Sequence, residues 1–216
     1  STVMTPGCAG PKEVERTPLE RATSHLEVGN SALMDGDLPL AISHLIQAEK
    51  IDPTIPQIHH SKALAFYAKG DLETALASAR EAVRLNPAFS EAQNTLGRVL
   101  METERSDEAI AHLQKSAEDP TFREAYKPLT NLGILYYRQG DLAKSGRYLS
   151  RAVNEKVAGI GGGTCVAYYY LGHLRVKEGK LADAIDAYDR ATRRACGNFA
   201  DAHFALGIAL ERNRDY

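Results

Sequence analysis

Residues 131–145 read Asn131-Leu132-Gly133-Ile134-Leu135-Tyr136-Tyr137-Arg138-Gln139-Gly140-Asp141-Leu142-Ala143-Lys144-Ser145. An apolar series leads to a glycine, a Gly-Asp pair follows, and a small residue comes one turn after the aspartate. The same three marks recur along the chain. The first series is Gly29, Ala63, Gly97, Gly133, Gly172 and Gly207, at successive spacings of 34, 34, 36, 39 and 35 residues. The second is Ala41, Ala75, Ala109, Ser145 and Ala184. Between them lie Gly36-Asp37, Gly70-Asp71, Glu104-Arg105, Gly140-Asp141 and Gly179-Lys180, and Pro53 and Pro87 close the first two units. A fixed period of this length marks a stacked supersecondary unit whose neighbours share one core. Small residues at fixed places let two helices cross closely. The Gly-Asp between them ends one helix and starts the next.

This pattern resembles the tetratricopeptide repeat (TPR), and it predicts an all-α helix–turn–helix solenoid with a right-handed superhelix. The spacing gives five full repeats, at about 22–55, 56–89, 90–125, 126–164 and 165–199, and a partial sixth at 200–216. Within each second helix, Ala41-Ile42 with Leu45, Ala109-Ile110 with Leu113, and Ala184-Ile185 with Tyr188 follow helical spacing. Residues 1–19, punctuated by Pro6, Gly7, Gly10, Pro11 and Pro18, read as a flexible tether, and residues 20–216 as the array. Two links depart from the period. Asp119-Pro120-Thr121 lengthens the third, and Val157–Thr164 inserts a glycine-rich loop in the fourth. In the sixth unit only the first helix precedes Tyr216, standing either as the start of a longer segment or as a polar-faced cap.

Composition narrows the functional classes. The formal net charge of −2 gives no nucleic-acid surface, and no run of 18 apolar residues exists to span a membrane. The seven histidines are scattered, and adjacent His59 and His60 point roughly 100° apart on a helix. The Gly159–Thr164 stretch lacks the lysine of a phosphate loop. Asp35-Gly36-Asp37 begins like a calcium loop, but the repeat's own turn explains it. The expectation is a binding protein with no catalytic residues, metal, cofactor or small-molecule substrate.

Three cysteines are present, none in metal-ligand spacing. Cys165 opens the first helix of repeat five and Cys196 lies just past its second. Because the two helices are antiparallel, these ends lie side by side, within the reach of about 7 Å between Cα atoms that a bridge needs. Two readings stand: a Cys165–Cys196 disulfide, implying an oxidising compartment, or two small buried apolar residues. Cys8 remains unpaired on the first reading.

The inner face of such an array is lined by first-helix residues at the fifth, ninth and twelfth places of each unit. The candidates for partner binding are Leu26, Asn30, Leu33, Leu64, Tyr67, Asn94, Met101, Ile134 and Tyr137. Leu33, Leu64, Tyr67, Met101, Ile134 and Tyr137 form an apolar face separate from the core stripe. The expectation is an exposed groove for an extended or amphipathic segment, strongest over the first repeats, rather than a face closed by the superhelix itself.

The segment Ser116-Ala117-Glu118-Asp119-Pro120-Thr121-Phe122-Arg123-Glu124-Ala125-Tyr126, followed by Asn131-Leu132-Gly133, is similar to the long third link of the TPR-type pilotins, lipoproteins of type IV pilus systems. The chain from about residue 20 fits their six-repeat plan. The resemblance implies a lipid-anchored protein on the periplasmic face of the outer membrane. It would bind secretin subunits and promote their assembly into the pilus ring. The acylated cysteine would be Cys8, preceded by Gly7, or a residue ahead of Ser1. The reading from a different class is a general TPR scaffold or adaptor in the periplasm or cytosol.

Overall fold

The computed structural model describes residues 16–155, 164–193 and 196–214. Eleven helices and no strand occur among them: α1 (Pro18–Met34), α2 (Leu38–Ile51), α3 (Pro56–Lys69), α4 (Leu72–Leu85), α5 (Ser90–Glu102), α6 (Ser106–Ala117), α7 (Tyr126–Arg138), α8 (Leu142–Asn154), α9 (Cys165–Lys177), α10 (Leu181–Thr192) and α11 (Ala200–Arg214). Each odd-numbered helix up to α9 packs most closely on the next to make a hairpin. Each hairpin then packs on its successor, and the first helices of neighbouring hairpins touch along the inner face. The core is therefore a line of local clusters rather than a single centre. The tether of residues 1–15, with Cys8, and the loop at residues 156–163 lie outside the described residues.

The turns show why the period is written in Gly-Asp. Gly36, Gly70, Gly140 and Gly179 hold φ between 77° and 84°, and Glu104 fills the same place in repeat three at φ 58°. At each turn the next backbone N–H reaches back to the preceding helix: Asp37 to Ala32, Asp71 to Phe66, Arg105 to Leu100, Asp141 to Tyr136 and Lys180 to Arg175, all at 2.9–3.0 Å. This is the Schellman closure, which uses otherwise orphaned carbonyls. The Asp37, Asp71 and Asp141 carboxylates then accept from the backbone N–H of Leu40, Thr74 and Lys144 and start the second helices. Arg105 and Lys180 offer no such cap.

The array begins earlier than the repeat spacing indicates. Thr17 and Glu20 form a reciprocal capping box, with Pro18 in the first turn, so α1 starts at Pro18 within the stretch read as tether. A second recurrent device sits at the fourth place of the units. His59 donates to the Pro53 carbonyl at 2.7 Å, Gln93 to that of Pro87 at 2.8 Å, and His203 to that of Gly197 at 2.9 Å. Each bond ties a first helix to the link before it and fixes the angle at which the chain re-enters the stack.

The small residues work as one half of a lock. A Cβ added at Gly29, Gly97, Gly133 or Gly172 would lie 2.8, 2.5, 2.5 or 2.3 Å from Leu45, Leu113, Leu149 or Tyr188, respectively. In repeat two the small residue is Ala63, and the corresponding place on the second helix holds Ala79. Both are fully buried in one cluster. Small faces large, or two intermediate residues face each other, so the summed volume at the crossing is kept.

Candidate functional site

The first helices α3, α5, α7 and α9 line a cleft of about 430 Å³ at the middle of the array. Its floor is apolar: Met101 and Ile134 are each 8% exposed and belong to the central core cluster. Its walls are polar and cationic. Arg98, Lys127 and Arg138 face one carboxylate, Glu102, with Tyr67, Tyr126, Asn94, Thr130, Asn131 and Val166 completing the lining.

These groups differ in what they have left to offer. Lys127 is held by Glu124 at 2.7 Å, and Arg138 reaches Glu102 only at 3.9 Å. The Arg98 guanidinium sits 4.7 Å from the centre of the Tyr67 ring and has no carboxylate partner among the described residues. The ring orients the guanidinium while leaving its donors open. Asn131 Nδ2 donates to Asn94 Oδ1 at 3.0 Å. The Asn94 NH2 group and the Asn131 carbonyl oxygen are not used in this bond and suit the C=O and N–H of a peptide backbone. Nearby, His60 bonds Thr95 Oγ1 at 3.1 Å and stacks edge-on against Phe89; burial, with the Lys127 charge, lowers its pKa to about 4.

The cleft gathers Tyr67, Asn94, Met101 and Ile134 from the sequence candidates, and separates the rest. Leu26 is a core residue packed with Ala22, Leu45, Ala48 and Ile58, and Leu33 leans on that same cluster. Asn30 is exposed and Leu64 half-buried, and neither lines the cleft. Tyr137 belongs to a separate aromatic group, 5.8 Å from the Tyr170 ring, with Lys177 Nζ 4.3 Å above it. The expected broad, exposed apolar face over the first repeats is thus corrected. Adjacent first helices press on one another along the inner face, so the apolar residues there become floor. The long polar side chains Arg98, Lys127 and Arg138 become the accessible surface. Arg98 and Thr130 stand at inner-face positions by repeat spacing. Their selection over the leucines required knowing which residues the stacking buries.

A second cavity of about 340 Å³ lies between α9, α10 and α11, lined by Tyr169, His173, Val176, Tyr188 and Phe204 among others. Tyr188 Oη and His173 Nδ1 are 3.1 Å apart, and burial raises the Tyr188 pKa to about 12. Cys165 and Cys196 are joined by a disulfide with Cα atoms 5.6 Å apart, which ties the start of α9 to the segment after α10. No helix among the described residues is long and apolar enough to cross a membrane, and no cluster of three metal-ligating side chains occurs among them.

The tetratricopeptide-repeat pattern matches residues 60–121 and 169–216. The small glutamine-rich tetratricopeptide repeat-containing protein 2 of Mycosarcoma maydis is 32% identical over 94 residues, which are 43% of this chain and 27% of that protein. The anaphase-promoting complex subunit 3 of Schizosaccharomyces pombe is 25% identical over 182 residues, or 25% of its length; the chain thus spans about a quarter of the curated relatives it matches. Among solved structures, PilW, a type IV pilus biogenesis factor, superposes with a TM-score of 0.71 at 21% identity, covering 90% of this chain and 94% of that one. Pseudomonas aeruginosa pilF superposes with a TM-score of 0.73 at 19% identity, covering 92% and 93%. At such identities the likeness speaks for the fold alone. With the repeated hairpins, the Schellman turns and the small-against-large crossings, the matched pattern makes this chain a member of the tetratricopeptide-repeat family.

Proposed function

We propose that this protein is a non-catalytic scaffold of type IV pilus assembly, a pilotin-like factor that binds secretin subunits and promotes their joining into a ring. The central cleft carries the reading. It combines an apolar floor of Met101 and Ile134, a guanidinium at Arg98 oriented by Tyr67 and without a carboxylate partner among the described residues, and an asparagine pair with spare amide groups. An extended segment with one apolar anchor and one acidic side chain, or a terminal carboxylate, satisfies all three. Support for the pilus assignment comes from the long third link at residues 116–126. It comes also from the near-complete mutual coverage with PilW and pilF, whose arrays have the same extent. The Cys165–Cys196 bridge suits an oxidising compartment, here the periplasmic face of the outer membrane. An acylated cysteine, Cys8 or one ahead of Ser1, would hold the array there. By keeping the cleft at the membrane, the anchor raises the local concentration of captured subunits.

The test is the secretin's assembly state in the native host, read on gels run without full denaturation. Deletion of the gene should abolish ring multimers, the unaltered gene should restore them, and Arg98→Glu should restore them poorly at unchanged protein level. Multimers that persist after deletion would remove the pilotin reading. Multimers that depend on the gene but ignore Arg98→Glu would move the contact away from the cleft.

A further inference from the structure

In repeat three, Gln93 of α5 meets His112 of α6, whose Nδ1 lies 2.7 Å from the Gln93 Oε1 and donates to it. The same two places in repeat one hold His25 of α1 and His44 of α2, and no other complete repeat puts an imidazole at both. The two Nδ1 atoms are 3.0 Å apart, with ring centroids 5.1 Å apart and planes tilted by 41°. At the place of His25, His59 and His203 each turn Nε2 to the carbonyl of the link before them, whereas His25 turns Nδ1 to a second metal-ligating side chain. Two imidazole nitrogens bound to one ion at about 2.0–2.1 Å stand about 2.8 Å apart at a right angle and about 3.4 Å apart at the tetrahedral angle. The observed separation falls between these values. The backbones under the pair are fixed. Leu45, next to His44, presses on Gly29, one turn after His25, and Ala22, Ala41 and Ala48 around them are fully buried. Both rings are half-buried, so water reaches the pair. The helices thus hold two ligands in place before any ion arrives.

We propose that His25 and His44 form a site for a divalent first-row transition ion of the kind imidazole favours, such as Zn²⁺, bridging α1 and α2. The ion takes the position of the proton that the two rings share. In the hydrogen-bonded pair one ring carries its proton on Nδ1 and the other accepts. When the ion enters, the donating ring passes to the tautomer protonated at Nε2, and a small rotation of the rings brings both Nδ1 lone pairs onto one point. Water fills the remaining positions, since no group of three metal-ligating side chains occurs among the described residues. A site of two nitrogens and water discriminates against Mg²⁺ and Ca²⁺, which take oxygen ligands. The bound ion cross-links the first hairpin and stabilises it by mass action. The site lies apart from the central cleft and does not rest on its assignment.

The test is a calorimetric titration of Zn²⁺ into the 216-residue protein carrying Cys8→Ser, which removes a thiol that would compete for the ion. One saturable site is expected, weakened at least tenfold by His25→Gln and by His44→Gln, and unchanged by His112→Gln. The glutamine variants should keep the fold, because Gln93 and His112 already make the same contact with an amide on one side. Unchanged helicity and a cooperative melt check this. Ring-nitrogen NMR shifts should move at Nδ1 of His25 and His44 together as Zn²⁺ is added, and stay in place at the other histidines. Mg²⁺ at the same concentration should move none of them. Absence of saturable Zn²⁺ binding, or a site that survives His25→Gln or His44→Gln in the folded protein, overturns the proposal. An equal loss on His112→Gln overturns it too, by showing that the ion collects on imidazoles without a built site.

Discussion

Gly97→Ala and Gly207→Ala place one methyl group at the same point of two repeats and should act in opposite directions. At Gly97 the new Cβ falls 2.5 Å from Leu113 Cγ and 2.6 Å from Cδ2, with the Ala109 carbonyl oxygen at 3.4 Å. Ordinary carbon contacts begin at about 3.5 Å, so the overlap is about 1 Å and falls on a branch point rather than a flexible tip. Leu113 is fully buried among Leu96, Leu100, Leu132 and Leu135 and has nowhere to retreat. Overpacking of this kind costs about 1–3 kcal/mol. An overlap of about 1 Å on a fully buried branch point belongs to the upper part of that range, about 2–3 kcal/mol, and replacing a helical glycine by alanine returns up to about 1 kcal/mol, leaving a net loss of at least about 1–2 kcal/mol. At Gly207 the methyl meets open space, and only the helix term of up to about 1 kcal/mol in favour remains. For an array of this size each kcal/mol moves Tm by about 2–4 °C. Thermal melts followed by circular dichroism should therefore show a fall of about 2–8 °C for Gly97→Ala and no fall, or a small rise, for Gly207→Ala. Leu113→Ala alone should cost about 2–5 kcal/mol, and adding Gly97→Ala to it should cost nothing further, since the pair then matches Ala63 and Ala79 of repeat two. A neutral Gly97→Ala, or a Gly207→Ala as damaging as Gly97→Ala, would refute the account of the crossing.

Other outcomes follow from single observations. Glu104 stands at φ 58° where its counterparts are glycines, so Glu104→Gly should raise stability by about 1 kcal/mol despite glycine's greater freedom when unfolded, read as a higher melting temperature. Reducing the Cys165–Cys196 bridge, which closes a separation of 31 residues, should lower stability by about 3–4 kcal/mol in the chain-entropy account. Melts with and without reductant test this, and Cys196→Ser should melt low in both. His60 is neutral in the fold, with a pKa of about 4 against 6.5 for the free side chain. Between those values the unfolded chain binds the extra proton, so stability is full above pH 6.5 and falls as pH drops toward 4. The loss is at most about 3 kcal/mol. His60→Gln should flatten that acid limb in pH-dependent melts, and an unchanged limb would assign it to other groups.

What could be read in advance was whatever lies within one hairpin. Gly70-Asp71 and Gly140-Asp141 announce the end of one helix and the start of the next because these depend on a few consecutive residues; the structure adds the left-handed glycine and the aspartate cap. The Cys165–Cys196 approach follows from two antiparallel helices of known length. Even the departure at Glu104-Arg105 is visible as a unit that keeps the turn without its usual residues. The capping box at Thr17–Glu20 was equally local, but the prolines around it resemble a tether.

The cleft was another matter. Leu26 and Leu33 occupy inner-face places by spacing and yet join the core of the first hairpin. Met101 and Ile134 occupy the same places and form a floor, and Arg98 and Asn131 become the accessible surface. The sequence by itself determined the helix count within each unit, the turns, and the small residue awaiting a large one. Only the tertiary structure decided which inner side chains remain accessible and how tightly each glycine is met by its partner, as Gly97 is by Leu113. Those outcomes depend on how closely successive hairpins stack, a distance set by packing between units that no spacing within a unit contains.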